Sequence, residues 1–197
     1  MTDTTETAGS RPGSCTPALD IRPATVREPI GFATVRGDRT GAEADRLRTA
    51  VADVRLEVFV GEQAVPLIQE IDARDDAPTT VHLLARGADG TPLGAGRILM
   101  EPEHPDQVHL GRLAVRRLAR GTGLGARVVA ALEQAALRYS GRSGVEVILS
   151  AQEQAMGFYQ RCGYRVLDGH RYLDAGIWHQ DMARTVTTVT TTADGPS

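Results

Sequence analysis

The strongest chemical signal in the sequence is a glycine-rich turn between a β-branched apolar segment and an amphipathic helix. The turn spans Arg120–Gly125 and reads RGTGLG. Glycines at such a position let successive backbone N–H groups converge at the positive end of the helix dipole. A nest of this kind binds an anion, typically a phosphate or diphosphate, and Arg120 adds a positive charge beside it. The pattern predicts a phosphate-binding turn, with a ligand-free glycine-rich helix entry as the alternative.

Two other phosphate-binding motifs do not fit this segment. The dinucleotide fingerprint needs G-x-G-x-x-G, but position 126 is alanine and no acidic residue closes a following strand. A P-loop needs a Gly-Lys pair, and the sequence contains none. The predicted ligand is therefore a phosphate held in some other way.

Three arginines stand where a core favours apolar side chains. Arg55 lies beside the apolar stripe of the first predicted helix, and Arg97 and Arg112 each follow a glycine inside an apolar strand. Because a desolvated guanidinium needs carboxylate or carbonyl partners, they form either a structural ion-pair network or a polar acceptor pocket. The loop Val60–Asp72 is the expected wall of that pocket. The residues expected to bind substrate are Arg55, Glu62, Gln63, Arg97 and Arg112.

Some further polar residues have only packing roles in this interpretation. Cys162 has no Cys-x-x-Cys partner and falls beside the apolar face of a short predicted helix, so a small buried side chain is expected. The other cysteine, Cys15, is distant in sequence, so neither a disulfide framework nor a metal site is predicted. Asp174, Trp178 and His179 are expected to be turn and packing residues, with closure of the acceptor cleft as the alternative.

The elements that position these groups follow from the apolar pattern. Thr40 and Glu43 form a capping-box signature that opens a helix to about Val60, and a second helix follows the glycine turn. Hairpins precede a strand–helix–strand–helix–strand unit, which predicts an α/β (α+β) fold with a mixed sheet. A short third helix is predicted at Gln154–Arg161. The predicted strands are Ile30–Val35, Val81–Arg86, Leu93–Met100, Val108–Arg116, Val145–Ser150, Tyr164–Asp168 and Ile177–Met182.

Composition bounds the class of protein. The 197 residues carry 22 Lys+Arg against 25 Asp+Glu, and this near balance argues against general nucleic-acid binding. No apolar run is long enough for a signal peptide or a membrane helix, so a cytoplasmic protein without a membrane partner is expected. Residues 1–28 are expected to be a disordered tail and 29–184 one domain. Residues 185–197 are expected to be flexible, although their Thr/Val alternation could extend the last strand.

Two blocks of the sequence resemble the GNAT superfamily of acyl-CoA-dependent N-acyltransferases. The glycine turn is similar to the family's R/Q-x-x-G-x-G/A signature. Residues 150–164, SAQEQAMGFYQRCGY, resemble the family's N-x-x-A-x-x-L-Y-x-x-x-G-F block, with Gln152 at the Asn position and Tyr164 at the Phe position. Further segments between residues 46 and 184, among them RLEVFVGEQ, GRLAV and DAGIWHQDM, resemble the ElaA-type subfamily.

The resemblance implies a fold, a co-substrate and a reaction. The implied GNAT fold has a mixed, mostly antiparallel sheet of six to seven strands flanked by helices. The implied reaction is direct transfer of an acetyl group from acetyl-CoA to a primary amine of a small molecule in a ternary complex, without a metal. Protein amines as acceptors and a homodimer are left open. The residues implied to bind acetyl-CoA are Leu113, Ala114, Val115, Arg120, Gly121, Thr122, Gly123, Leu124, Gly125, Ala126 and Gln152.

Two residues gain catalytic roles from the resemblance. Tyr159 stands where the family has the tyrosine that protonates the CoA sulfur, and a phenol with a pKa of about 10 is protonated at pH 7. His109 lies six residues before Val115, in the strand where several members carry a glutamate base. An imidazole with a pKa of about 6.5 suits that role. Structural roles are the alternatives, and Glu101 and His82 are reserve candidates for the base.

Two other functions remain open at this point. A non-catalytic acyl-CoA sensor would keep the glycine turn but lack a competent acid and base. An enzyme similar to acyl-homoserine-lactone synthases would use acyl carrier protein donors and S-adenosylmethionine. The complete glycine turn favours CoA.

Overall fold

Seven strands form one sheet in the computed structural model, which describes residues 29–188. The order across the sheet is β1-β2-β3-β4-β5-β7-β6, and only β4 and β5 pair in parallel. The predicted mixed, mostly antiparallel sheet of the α/β (α+β) class is confirmed. The strands are β1 (Gly31–Arg36), β2 (Thr80–Arg86), β3 (Pro92–Met100), β4 (Gln107–Val115), β5 (Gly144–Gln152), β6 (Arg165–Asp174) and β7 (Ile177–Thr187).

Helices cover both faces of the sheet. The helices are α1 (Ala42–Arg55), α2 (Leu67–Glu70), α3 (Leu124–Ser140) and α4 (Met156–Arg161). The helix α1 continues without a break as a π-helix over Leu56–Glu62. Short 3₁₀ turns cover Ala73–Asp76, Arg117–Ala119 and Glu153–Ala155.

Two apolar clusters hold the layers together, one on each face of the sheet. Leu47, Val51, Val54 and Val58 recur at spacings of four, three and four, so they share one helical face and pack on the sheet beneath α1. The opposite cluster buries α3 against the strands. A Cβ at Gly96 would lie 2.5 Å from Cδ1 of Leu132 of α3, so only glycine lets the helix approach β3 there.

The start of α1 differs from the prediction. Gly41 is the N-cap residue, with φ of 115°, and no side chain caps the helix. The predicted Thr40–Glu43 capping box is therefore wrong, because the N-cap position is Gly41 and Thr40 lies one residue before it.

The last strand extends beyond the predicted end of the domain. Strand β7 continues to Thr187, whose Cα is paired with that of Gly144, so the Thr/Val alternation extends the strand past residue 184. The tails predicted for 1–28 and for most of 185–197 lie outside the described residues. Among residues 29–188, no helix is both long enough and apolar enough to cross a membrane.

Candidate active site

The site begins where two neighbouring strands separate. Strands β4 and β5 pair only over four residues each, Gln107–Leu110 with Glu146–Leu149. At Arg112 the backbone takes a φ of 52°, and the register with β3 shifts between Ala95 and Arg97. A non-glycine residue in this left-handed region marks a locally strained bulge. Beyond it, the edge of β4 that faces β5 has no strand partner among residues 29–188.

Two cavities meet at this separation. The first, about 730 Å³, lies against the glycine turn, and we call it the glycine-turn cavity. The second, about 620 Å³, lies between residues 63–74 and the start of β7, and we call it the loop cavity. Both volumes lie in the range typical of small-molecule sites. Four residues line both cavities: Gln63, Leu113, Ala155 and Phe158.

The glycine turn presents a row of unused backbone donors. Within residues 29–188, no group accepts a hydrogen bond from the backbone N–H groups of residues 121–126. Gly121 and Gly123 have φ of 77° and 83°, and a Cβ built on either would meet nothing within 4 Å. The donors sit at the N-terminus of α3, where the helix dipole favours an anion. This cradle fits a diphosphate.

Hydrogen bonds and an ion pair from the side chains of Thr122 and Arg120 stabilise the glycine turn. Thr122 donates a hydrogen bond of 2.7 Å from Oγ1 to the Ala119 carbonyl. Arg120 donates from Nε to the Val115 carbonyl at 2.8 Å and pairs with Glu62, also at 2.8 Å. Glu62 therefore holds the guanidinium at the rim of the glycine-turn cavity and offsets part of its charge.

The residues expected to bind acetyl-CoA fall into three groups. Thr122 and the buried Leu124 support the turn, while Ala114 is buried on the α1 side of the sheet. Gln152 lines the loop cavity instead and donates from Nε2 to Oε1 of Gln63 at 3.1 Å. The remaining ones line the glycine-turn cavity: Leu113, Val115, Arg120, Gly121, Gly123, Gly125 and Ala126.

Tyr159 lies on α4 and lines the loop cavity. Its ring is held edge-on between Phe158 and Tyr164, with centroids 5.0 and 5.9 Å away. Its hydroxyl has no hydrogen-bond partner among residues 29–188. The hydroxyl oxygen is also not fully buried, so a ligand in the cavity can reach it. Burial, with a smaller contribution from Cys162, raises the pKa of the phenol. The group therefore stays protonated with a free hydroxyl.

Cys162 lines the glycine-turn cavity, a position that its sequence context did not indicate. Burial is the main cause that raises the pKa of its thiol, and Glu133 adds to the effect. A protonated thiol is a weak nucleophile.

The candidate bases lie elsewhere. His109 lines neither cavity; its Nε2 lies 4.0 Å from Oε1 of Glu101, and both side chains are partly exposed, 44% and 38%. His82 is buried behind the loop cavity, with Nε2 2.8 Å from the Asp75 carbonyl. Burial lowers the pKa of His82. The structure does not bring any of these three side chains to the cavities.

Of the three arginines in apolar surroundings, two belong to a structural ion-pair network and one lines the expected acceptor pocket. Arg55 binds Glu70 and lies 3.0 Å from Asp75, and Arg97 contacts Asp75 at 2.7 Å. Neither arginine lines a cavity, so both belong to an ion-pair network beneath the loop. Arg112 does line the loop cavity, held by Glu70 at 3.0 Å. The network fixes the loop wall to the sheet.

The charges of this network reinforce one another. Burial alone would raise the pKa of the Asp75 carboxyl, but hydrogen bonds and charges from Arg55 and Arg97 lower it below its ordinary value. The pKa of Asp72 is lowered in the same way by Arg74 and Arg97, against the effect of its own burial. Both carboxylates stay ionised at neutral pH.

Ser150 and Tyr172 reach the site without any expectation from sequence, whereas His179 and Asp174 line the loop cavity as the alternative interpretation allowed and Trp178 does not. Ser150 and His179 line the loop cavity, and Tyr172 stacks on His179 with ring centroids 6.1 Å apart.

Among residues 29–188, no group of three His, Cys, Asp or Glu side chains could hold a metal ion.

Comparison with known proteins identifies the family. A family model described as an acetyltransferase (GNAT) domain matches residues 47–186. The chain belongs to this family, and it is an N-acyltransferase. The Bacillus subtilis (strain 168) protein YjcF, named an uncharacterized N-acetyltransferase, is 41% identical over 131 residues, which are 66% of this chain and 87% of YjcF.

Two solved structures match over most of the domain. An acyl-CoA N-acyltransferase from Pseudomonas aeruginosa is 33% identical with a TM-score of 0.67, covering 79% of this chain and 99% of that one. Escherichia coli ElaA is 26% identical with the same TM-score of 0.67 and the same coverage, 79% and 99%. The predicted GNAT fold and the likeness to ElaA are confirmed.

Proposed function

We propose that the protein transfers an acetyl group from acetyl-CoA to a primary amine of a small molecule, by direct attack in a ternary complex. The observation that carries the proposal is the row of N–H groups at 121–126, which have no hydrogen-bond acceptor among residues 29–188 and open into a cavity that meets a second one. Acetyl-CoA would supply a diphosphate for the first cavity and a thioester at the junction.

The chain's own groups divide the work of binding. The backbone donors of residues 121–126 and the Arg120 guanidinium hold the diphosphate. The β5-facing edge of β4 at Leu113–Val115, which pairs with no strand in the described part of the chain, would bond the pantetheine and acetyl groups. Leu113 lines both cavities, so a thioester held against it faces the loop cavity. The amine then enters from the loop cavity, on the opposite side of the thioester.

Tyr159 supplies the proton that the leaving sulfur needs. Its ring lies beside Phe158, which lines both cavities, and its hydroxyl is free. The raised pKa keeps the phenol protonated until the sulfur, as a thiolate, accepts the proton.

The direct test is transfer to an amine. Purified protein is given acetyl-CoA with a panel of alkylamines, diamines, amino acids, short peptides and S-adenosylmethionine, and both thiol release and acetylated product are measured. We expect thiol release that depends on one class of small amine. Binding of acetyl-CoA without thiol release for any amine would favour the sensor, and transfer only to S-adenosylmethionine would favour the synthase-like enzyme.

A further inference from the structure

His179 lines the loop cavity but takes no part in binding acetyl-CoA or in protonating the sulfur as proposed above. It lies near the start of β7, 8% exposed, next to Gln152 of β5 and Tyr172 of β6 in the sheet. Its side chain lines the same cavity as Tyr159. One imidazole and one phenol therefore face the same space at the separation of β4 and β5.

The hydrogen bonding of His179 fixes its tautomer. Nδ1 lies 2.9 Å from the carbonyl oxygen of Ile177. Since a carbonyl can only accept, Nδ1 must carry the proton, and the neutral ring then has its lone pair on Nε2. Nε2 has no hydrogen-bond partner among residues 29–188. This nitrogen is also not fully buried. It is free to accept a proton from a group in the cavity.

The surroundings of His179 suit a ring that gains a positive charge. Tyr172 stacks on it with an interplanar angle of 19°, and an aromatic face attracts a cation. Tyr172 in turn donates a hydrogen bond of 2.6 Å to Asp181 and contacts the hydroxyl of Ser150. The charged groups that line the cavity with His179 are Glu70, Asp72, Arg74, Arg112 and Asp174.

We propose that His179 is the general base of the transfer, accepting a proton from the acceptor amine at Nε2. This inference rests on the proposed function. It differs from the role implied for His109, which lines neither cavity and lies beside Glu101.

The proton balance closes with the two residues named. The acceptor enters as an ammonium ion, and Nε2 of His179 takes one of its protons. A carbon–nitrogen bond replaces the carbon–sulfur bond, the nitrogen releases a second proton to water, and the sulfur takes the proton of Tyr159. The imidazolium then returns its proton to the phenolate through water. One proton is released overall for each amide formed.

The test is the pH dependence of kcat/KM in His179→Asn, with acetyl-CoA and the alkylamine that the wild-type protein acetylates fastest. Asparagine keeps a donor near the Ile177 carbonyl but has no basic nitrogen. In the wild type, the rate should rise with pH, with a midpoint well below the pKa of the amine. In the variant, the rate at pH 7 should fall by about 10²-fold or more. The midpoint should move to the pKa of the amine itself, about 10 for an alkylamine.

A matched control separates this role from a structural one. His170 also stacks on Tyr172, with centroids 6.2 Å apart, but lines neither cavity. His170→Asn should keep the wild-type midpoint. Acetyl-CoA affinity and the unfolding temperature are measured for all variants. A wild-type midpoint in folded His179→Asn, or a midpoint that moves in His109→Asn instead, would overturn the proposal.

A spectroscopic test does not depend on activity. Nitrogen-15 spectra of histidine-labelled protein, assigned by the signal lost in His179→Asn, should show the Nδ1-protonated tautomer for His179. The Nε2-protonated tautomer would overturn the proposal, because Nε2 could not then accept a proton. If the wild type acetylates no amine, the proposed function fails, whereas an unchanged variant in an active enzyme removes only the role of His179.

Discussion

At the scale of single residues, Tyr159 combines two properties that a proton donor needs. Its ring is fixed between two aromatic neighbours, and its hydroxyl has no hydrogen-bond partner within residues 29–188. Burial raises the pKa of the phenol, so the proton is present throughout the neutral range. A rise in this pKa also means that Tyr159 causes no loss of rate as pH increases toward about 10, the ordinary value for tyrosine.

Replacing Tyr159 with phenylalanine removes the donor but keeps the packing of the ring. We expect Tyr159→Phe to lower the single-turnover rate by about 10²-fold or more, with acetyl-CoA affinity unchanged, because only the proton for the sulfur is lost. Tyr139→Phe is the control, since the hydroxyl of Tyr139 contacts Thr34 at 3.0 Å and its ring lines neither cavity. Equal rates for the two variants would remove Tyr159 from the mechanism.

The sequence predicts individual residues unevenly. Tyr159 belongs to a block with fixed spacing, so its place on α4 beside the cavities could be expected. For His179 the sequence left closure of the cleft only as an alternative to a packing role, because its place in the loop cavity depends on a separation of strands that no local pattern encodes. Period-two alternation puts residues 177, 179 and 181 on one face of β7, but does not say which face meets a cavity.

At the scale of elements, the glycine turn and α3 act together. The helix begins at Gly123 and ends at Gly141, both with positive φ, 83° and 66°. Both glycines adopt a backbone conformation that disfavours other residues, but their surroundings differ. Gly123 lines the glycine-turn cavity, whereas Gly141 lines neither of the two cavities.

Alanine at these two positions separates binding from stability. Each variant should lower the free energy of unfolding by about 1 kcal/mol, because alanine disfavours a positive φ. Gly123→Ala should also weaken acetyl-CoA binding by about tenfold or more in calorimetry, since its methyl group enters the anion cradle. Gly141→Ala should keep wild-type affinity. Equal affinities for the two variants would contradict the assignment of the turn.

The buried ion network fixes the loop to the sheet. Asp75→Asn leaves Arg55 and Arg97 with less compensation, and we expect it to lower the free energy of unfolding at pH 7 by about 3–5 kcal/mol. The control is Asp38→Asn, whose exposed pair with Arg36 should contribute about 1 kcal/mol or less. Urea unfolding measures both, and equal losses would show that the network does not stabilise the domain.

The pH dependence of the same variant follows from the sign of the shift. The pKa of Asp75 is lower in the folded protein, so its contribution is present above about pH 3.9 and is lost as pH falls further. Wild-type stability should decrease below about pH 4, and Asp75→Asn should lose part of that slope. An unchanged slope would assign the acid sensitivity to other groups.

Elements with strong local signals could be predicted, and those set by tertiary contacts could not. The glycine turn is marked by three glycines within five residues, and the apolar stripe of α1 recurs over several helical turns, so both could be predicted from local sequence. The π-helix after Arg55 and the bulge at Arg112 depend on packing and on the divergence of β4 from β5. The buried ion pairs join residues of the loop to residues of the helix and sheet, so they depend on the folded structure. The sequence alone therefore could not decide between an ion-pair network and an acceptor pocket for Arg55 and Arg97.

At the scale of the whole molecule, two cavities that meet at one gap favour a ternary complex. Such a site lets donor and acceptor lie together, and transfer needs no acylated residue. Cys162 faces the glycine-turn cavity, but its raised pKa keeps it a thiol.

Kinetics distinguish direct transfer from a covalent route. We expect intersecting initial-velocity lines and at least half of the wild-type activity in Cys162→Ala, because no residue carries the acetyl group. Parallel lines, or an acetylated protein detected by mass spectrometry without amine, would indicate a ping-pong route.

The most direct measurement is a titration of nitrogen-15-labelled protein with acetyl-CoA, followed through its backbone amide signals. The N–H groups of residues 121–126 hydrogen-bond to no group of residues 29–188, so they should shift most on binding, and 3′,5′-ADP, which lacks the diphosphate, should not reproduce the full shift. If acetyl-CoA binds while these six signals stay unchanged, the diphosphate is held elsewhere and the proposed geometry of transfer is wrong.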